Sequence, residues 1–303
     1  MKTLPLNLSL IIILFLFACA SKKKTEEELR TENIKKAEEV SNEILNTFIE
    51  LDNKLVDQNL TISEGNNLRL SQYDSTFNSL EVDELLKAKF YQSIAQSAHK
   101  ISLTNCNKIM FLANEVLKAP LDTENDWIEV NTTGHYSIVD LNKHEYPAKD
   151  DYETPMEFFI DQKKGEILYS LIENLRDSLV SIILSADSLK IQIPKIQKET
   201  PKDTKYIEKL DKYISTCPED SKRKIIEIYK ILSLPKFVFN HDEKVTWLAG
   251  QFDHSPMVAC TAILTSLKEQ ILQAETVALD LVTSKITAPI FKFETIETDA
   301  SAK

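Results

Sequence analysis

The chain has 303 residues, 43% of them hydrophobic, enough to bury a sizeable core in one large or two small domains. Its formal net charge of −11 and its sequence pI of 5.1 argue against a nucleic-acid partner. Only four glycines occur (Gly65, Gly134, Gly165 and Gly250), where average usage would give roughly twenty; the shortage argues against Rossmann domains, phosphate loops, hairpin-rich barrels and nucleophile elbows, and for helices.

The N-terminus carries the most specific signal. Lys2 precedes an apolar run from Leu4 to Ala18, interrupted by Pro5, Asn7 and Ser9, and Leu16-Phe17-Ala18-Cys19 closes it. The run stops short of the ~20 apolar residues that a membrane span needs. It resembles the lipobox of bacterial lipoproteins, which implies cleavage after residue 18 and acylation of Cys19 by palmitate-type chains. Each buried methylene contributes about 0.8 kcal/mol, so several such chains hold a protein at a membrane essentially permanently. Residues 19–33 read as a charged tether, Lys22-Lys23-Lys24 and then Glu26-Glu27-Glu28. It is either a solvated linker or a patch lying on anionic head groups.

Apolar residues then recur at helical spacing: Ile34, Ala37, Val40, Ile44, Phe48, Leu51 and Leu55 predict a first amphipathic helix ending near Asn59. A second is expected over Asn66 to Ser79 and a long third from Val82 to Ala119, stopped by Pro120. Trp127–Val130 and Tyr136–Val139 flank Asn131-Thr132-Thr133-Gly134 and predict a hairpin or extended insertion. Ile167 to Leu189 predicts another long helix, with Pro194 and Pro201 beyond it; shorter helices follow at Thr204–Ser215 and Ser221–Ser233. A last long helix begins near Ser255, and Ile290-Phe291-Lys292-Phe293 alternates like the start of a strand. These elements together predict an all-α fold, an elongated antiparallel bundle with a small hairpin insertion and a short strand-like tail.

Chemistry is sparse. His99, His135, His144, His241 and His254 form no pattern with zinc spacing. His241-Asp242-Glu243 and Asp253-His254 read as charged loop residues beside the last helix. Carboxylates fall mainly on helical exteriors. With Cys19 set aside, Cys106, Cys217 and Cys260 permit one disulfide at most, and the helical positions of Cys106 and Cys260 favour packed, reduced thiols. No nucleophile motif, metal or cofactor site is expected. Trp247 and Phe252 stand in a predicted loop before Pro256, where they either pin the helix entrance or present a partner-binding hot spot.

Four segments in order carry a family resemblance. The first helix holds Phe48, Leu51, Asn53 and Leu55; the last is introduced by Trp247, Phe252 and Pro256 and continues with Ala259, Leu264, Ala274 and Glu275. Asp150-Asp151-Tyr152-Glu153-Thr154-Pro155 and Ile290–Phe293 complete the set. Between Glu38 and Phe293 the chain resembles the helical N-terminal periplasmic domain of the GldM/PorM family, from the gliding and type IX secretion machinery of Bacteroidota. The resemblance implies a helical domain over residues 34–289 and a truncated tail over 290–303. It departs from the family in three ways. A lipoprotein signal replaces the transmembrane helix, the β-rich distal domains do not follow, and Lys268 to Leu272 keeps little of the family's polar turn.

What these features imply is a non-catalytic lipoprotein that acts by protein–protein interaction, as an accessory or paralogue of the secretion machinery. Its partners would be GldM-like or GldL-like proteins, or other copies of itself. A general envelope scaffold that kept the helical fold is the alternative. Neither nucleic acid nor a small-molecule substrate is expected. The non-acidic residues after Cys19 point to the periplasmic face of the outer membrane.

Overall fold

A computed structural model describes residues 26–77, 82–120, 126–139, 148–240 and 242–287. The signal segment, Cys19, His144, His241 and the Ile290–Phe293 tail lie outside the described residues. Helix dominates, as the composition requires, with two small antiparallel hairpins.

The chain divides into two units, Met1–Ile44 and Leu45–Lys303. In the first, the described residues belong to helix α1 (Glu26–Phe77). Lys36 pairs with Glu32 at 3.0 Å and Lys35 faces Glu39 at 4.0 Å; exposed pairs of this spacing contribute about 0.3–0.5 kcal/mol each. Ile34, Val40 and Ile44 are exposed here.

The second unit holds the rest of α1, then α2 (Val82–Lys118), the hairpin β1–β2 (Ile128–Val130 and Tyr136–Ile138) and α3 (Glu153–Met156), which runs into a π-turn at Glu157–Asp161. After these come α4 (Lys164–Ala186), α5 (Lys205–Tyr213), α6 (Glu219–Leu232), the hairpin β3–β4 (Phe237–Asn240 and Glu243–Thr246), α7 (Trp247–Phe252) and α8 (Met257–Thr287). Helix α8 packs against α2, α4 and α6 and is buried on nearly every side. Such a helix must be apolar all round, and Val258, Leu264, Ile271, Leu272, Ala278, Leu279 and Val282 are all fully buried. Its first free N–H groups find partners outside the helix. Met257 N donates to Asp151 O at 2.9 Å and Val258 N to Lys149 O at 3.4 Å. Asp151 in turn accepts from the backbone N–H of Glu153 and Thr154. Burial works to raise the Asp151 pKa, but these bonds and the Thr154 hydroxyl outweigh it and hold the group below its usual value.

Three sequence expectations are corrected. The first and second predicted helices are one continuous α1, because nothing between Asn59 and Asn66 breaks it: Gly65 has open space where a Cβ would stand. The buried face of α1 departs from the expected stripe at Ile44 and Leu51, though Leu55 is buried as expected and Phe48 packs against the core. Leu45, Ile49, Asp52, Leu55, Asn59, Ser63 and Asn66 are buried, whereas Ile44 and Leu51 are exposed. A hydrophobic stripe misleads here because the packed face is largely polar. Thirdly, Trp247 and Phe252 begin and end a short helix rather than a loop, capped by the Thr246 hydroxyl, which accepts from Ala249 N at 3.2 Å.

The β1–β2 hairpin forms where expected, with Ile128 opposite Ile138. Two asparagines seven residues apart on α2 dock it. Asn107 donates to Gly134 O at 3.1 Å and accepts from Tyr136 N at 3.0 Å; Asn114 donates to Asp126 and accepts from Trp127 N at 2.7 Å. Gly134, at φ 79°, supplies the left-handed residue its turn needs.

Gly165 opens α4 where two elements meet it. A Cβ there would stand 2.7 Å from both the Leu248 side chain and the Phe159 carbonyl oxygen. The backbone contact cannot yield easily, so Gly165→Ala should lose about 1–3 kcal/mol. Denaturant titration of the purified chain checks this, and an unchanged midpoint would refute it.

Candidate functional site

Helices α1, α2 and α8 and the β1–β2 hairpin enclose a row of polar groups in an otherwise apolar interior. On α1 it comprises Asp52, Asn59, Ser63 and Asn66; on α8, Thr261, Thr265, Lys268 and Glu275. Helix α2 adds Ser102 and the hairpin adds His135 and Ser137. Each lies at or near zero exposure except Ser137, at 7%. The described carboxylates lie mainly on helical exteriors, as expected; Asp52, Glu275 and Glu173 are buried exceptions.

The two helices α1 and α8 are joined by side-chain-to-backbone bonds. Asn59 donates to Thr265 O at 3.1 Å and Asn66 to Leu272 O at 3.2 Å, while Thr276 donates to Asn66 Oδ1 at 2.8 Å. Below them Arg69 faces Asp280 at 3.4 Å. An amide donating to a helical carbonyl fixes register as apolar packing cannot, because a slip of one residue strands a buried polar group.

Glu275 Oε1 lies 2.7 Å from His99 Nδ1. Burial raises the Glu275 pKa, and the His99 pairing and the Asn66 side chain work against that rise. Lys268 Nζ donates to Tyr136 O at 2.6 Å and Ser137 Oγ at 2.8 Å, tying the hairpin to α8. Desolvation brings its pKa down to about 8. His135 stacks edge-on to His99 with ring centroids 6.3 Å apart, and neither of its ring nitrogens has a hydrogen-bond partner. Burial, then Lys268, then His99 lower its pKa to about 4, so it is neutral near pH 7. Asp52 has no hydrogen bond of good geometry to either carboxylate oxygen. Burial raises its pKa to about 6, tempered by the hydroxyls of Thr265 and Thr261.

At Asn66 and Thr276 the row meets a groove of 730 Å³, lined also by Gly65, Arg69, Glu227 and Asp280. Among the described residues, no three His, Cys, Asp or Glu side chains are placed to hold a metal ion. His254, its side chain 83% exposed, pairs with its neighbour Asp253. The three described cysteines are free and buried, as expected; burial raises the pKa of each thiol, most strongly at Cys106 and Cys260.

The residues that carry the resemblance are scattered through this architecture. Trp247 and Phe252 are buried beside each other, and Phe252 stacks on Phe159 at 4.2 Å between ring centroids. Ala259, Leu264 and Ala274 are buried on α8, Leu55 is buried on α1, and Glu275 belongs to the polar row. Phe48, Asn53 and Pro256 are half-buried, and Leu51 is exposed. Sequence reasoning missed Asp52, Asn59, Asn66, His99, His135 and Lys268 as one cluster. The seven-residue spacing of Asp52, Asn59 and Asn66 was the available signal. None of the described helices is long and apolar enough to cross a membrane. No known family model matches the chain, and no curated protein shows significant similarity to it.

Proposed function

We propose that the chain is a non-catalytic envelope lipoprotein, anchored through Cys19 and acting by protein–protein contact as an accessory or paralogue of the GldM/PorM machinery. The observation that carries the interaction role is apolar surface left uncovered at helical spacing. On α2, Val82, Leu86 and Phe90 follow one another every four residues at 74%, 65% and 47% exposure. Ile34, Val40 and Ile44 are likewise exposed in the first unit. Contiguous exposed apolar side chains of this kind mark protein contacts. The polar row also supports a mechanical reading, since its amide-to-carbonyl bonds fix the register of α1 against α8. The lipobox and the family-like segments supply the envelope location and the choice of machinery. An elongated antiparallel bundle belongs to the same reading.

Crosslinking and affinity capture from the native envelope test it, with Leu86→Glu compared against the unaltered chain. Recovery of GldM-like or GldL-like proteins, lost with Leu86→Glu, is the expected result. Capture dominated by unrelated envelope proteins would overturn the secretion role and favour a general scaffold. Equal capture by Leu86→Glu would remove the α2 face as the interface.

A further inference from the structure

Asn59 and Asn66 reach α8 in strict repetition. Each donates to the carbonyl of the residue 206 positions later, Thr265 and Leu272, so α1 and α8 run parallel with one register and a seven-residue period. Continued one period toward the N-terminus, the same register sets Asp52 opposite Val258. The flanking positions repeat as well. Thr261 and Thr265 stand to Asp52 as Lys268 and Leu272 stand to Asn59 in the numbering, and both threonine hydroxyls act on the Asp52 carboxyl. The third position of the ladder therefore holds a carboxyl where the other two hold amides. An amide always has an N–H to give, but an ionised carboxylate only accepts.

We propose that Asp52 is a proton-dependent third rung: protonated, its carboxyl donates to the Val258 carbonyl and closes α1 onto α8; ionised, it leaves that rung open. The proton comes from solvent and stays on the carboxyl oxygen that donates. The other oxygen takes the Thr265 hydroxyl, which is buried without a partner of its own. Val258 O already accepts from Thr261 at 3.0 Å. Leu272 O is shared in a similar way: Asn66 donates to it at 3.2 Å, and the Thr276 hydroxyl, 2.9 Å away, divides its one proton between Leu272 O and Asn66 Oδ1. Burial of Asp52 without a cation is what makes the switch responsive. From α8 the groups facing it are the two threonine hydroxyls and the Cys260 thiol. On its own helix the nearest charged residues, Glu50, Lys54 and Asp57, are exposed. Among the described residues, no charged group shifts it. Its pKa of about 6 places the change between mildly acidic and neutral pH.

Hydrogen-exchange protection of the α1 amides around residues 52–66, measured in the full chain at pH 5.0 and 7.5, tests this. Asp52→Asn supplies a permanent donor. Its protection relative to the unaltered chain should rise roughly tenfold between the two pH values, as the ionised carboxyl becomes the costlier occupant. Asp52→Leu removes the titration without supplying a donor, so it should protect α1 roughly fivefold less than Asp52→Asn, the value of about one hydrogen bond. A ratio that does not change with pH, or equal protection by Asn and Leu, would overturn the proposal. Should Asp52→Asn fold poorly, carbon-detected titration of the Asp52 carboxyl in the unaltered chain decides instead, and a midpoint near 4 would refute the switch.

Discussion

Between pH 7 and pH 4.5, His135→Leu and Asp52→Asn should change the acid response of the fold in opposite directions. His135 has a folded pKa of about 4 against an ordinary 6.5. The unfolded chain therefore takes up the proton first, and the stability held above pH 6.5 is lost as pH falls toward 4. Over this interval the loss amounts to about 2 kcal/mol. Asp52 has the reverse relation, a folded pKa of about 6 against 3.8. Here the folded chain binds the proton first, and stability is gained as pH falls through 6 toward 3.8, again by about 2 kcal/mol. The two nearly cancel. Relative to the unaltered chain, His135→Leu should become more stable on acidification and Asp52→Asn less stable. Denaturant titrations at several pH values read both slopes. Because each variant is compared with the unaltered chain, other titrating groups, such as the raised Glu275, drop out. Parallel slopes for the two variants would show that these residues do not set the acid response.

That pairing also shows where sequence reading succeeds and where it stops. The helices α2, α4, α6 and α8 were legible because their buried faces are apolar, as with Leu168, Leu175 and Leu179 on α4. A 3.6-residue period can be read wherever burial and hydrophobicity coincide. On α1 they part company. Asp52, Asn59, Ser63 and Asn66 look like solvent-facing residues, yet each is about 1% exposed. Asn59 and Asn66 find their partners in backbone carbonyls more than two hundred residues away, so hydrophobicity gives no sign of their burial and only their seven-residue spacing hints at it. Of the visible stripe, Ile44 and Leu51 are exposed, while Phe48 and Leu55 still reach the core. The β3–β4 hairpin escaped for a different reason. Its strands have only four residues each, and Phe239 at 64% exposure gives no alternation to detect.

Lys268 illustrates the cost of reading by resemblance. The resemblance leads one to expect little polar character over Lys268 to Leu272, yet this lysine is buried at 1% exposure and bonds the β1–β2 hairpin. The signal lay in a cation midway along a helix whose neighbouring positions, Leu264, Leu267, Ile271 and Leu272, are buried and apolar, a position a lysine occupies only when its ammonium group is satisfied.

Arg176 is the second buried cation, and its removal should have the largest effect on stability. It is 1% exposed on α4, between α4 and α6. Its Nε donates to Asp177 at 2.8 Å and Nη1 to Ser233 Oγ at 3.2 Å, and its guanidinium carbon lies 4.6 Å from the Tyr229 ring centroid. Glu173 stands 4.0 Å away and is held also by Lys195 at 2.8 Å. Arg176→Ala would empty a large buried volume and withdraw a cation from the buried Glu173, at a cost of about 3–5 kcal/mol. Arg176→Met keeps the apolar stem over Tyr229, and Lys195 still compensates Glu173, so it should recover at least about half of that loss. Combining Arg176→Met with Lys195→Ala leaves Glu173 buried without either cation, and the loss of the double variant should exceed the sum of the two single losses. Thermal and denaturant unfolding of these four variants against the unaltered chain decide among these outcomes. Equal losses for Arg176→Ala and Arg176→Met would assign the effect to charge alone. Simple additivity with Lys195→Ala would mean that Glu173 does not couple the two cations.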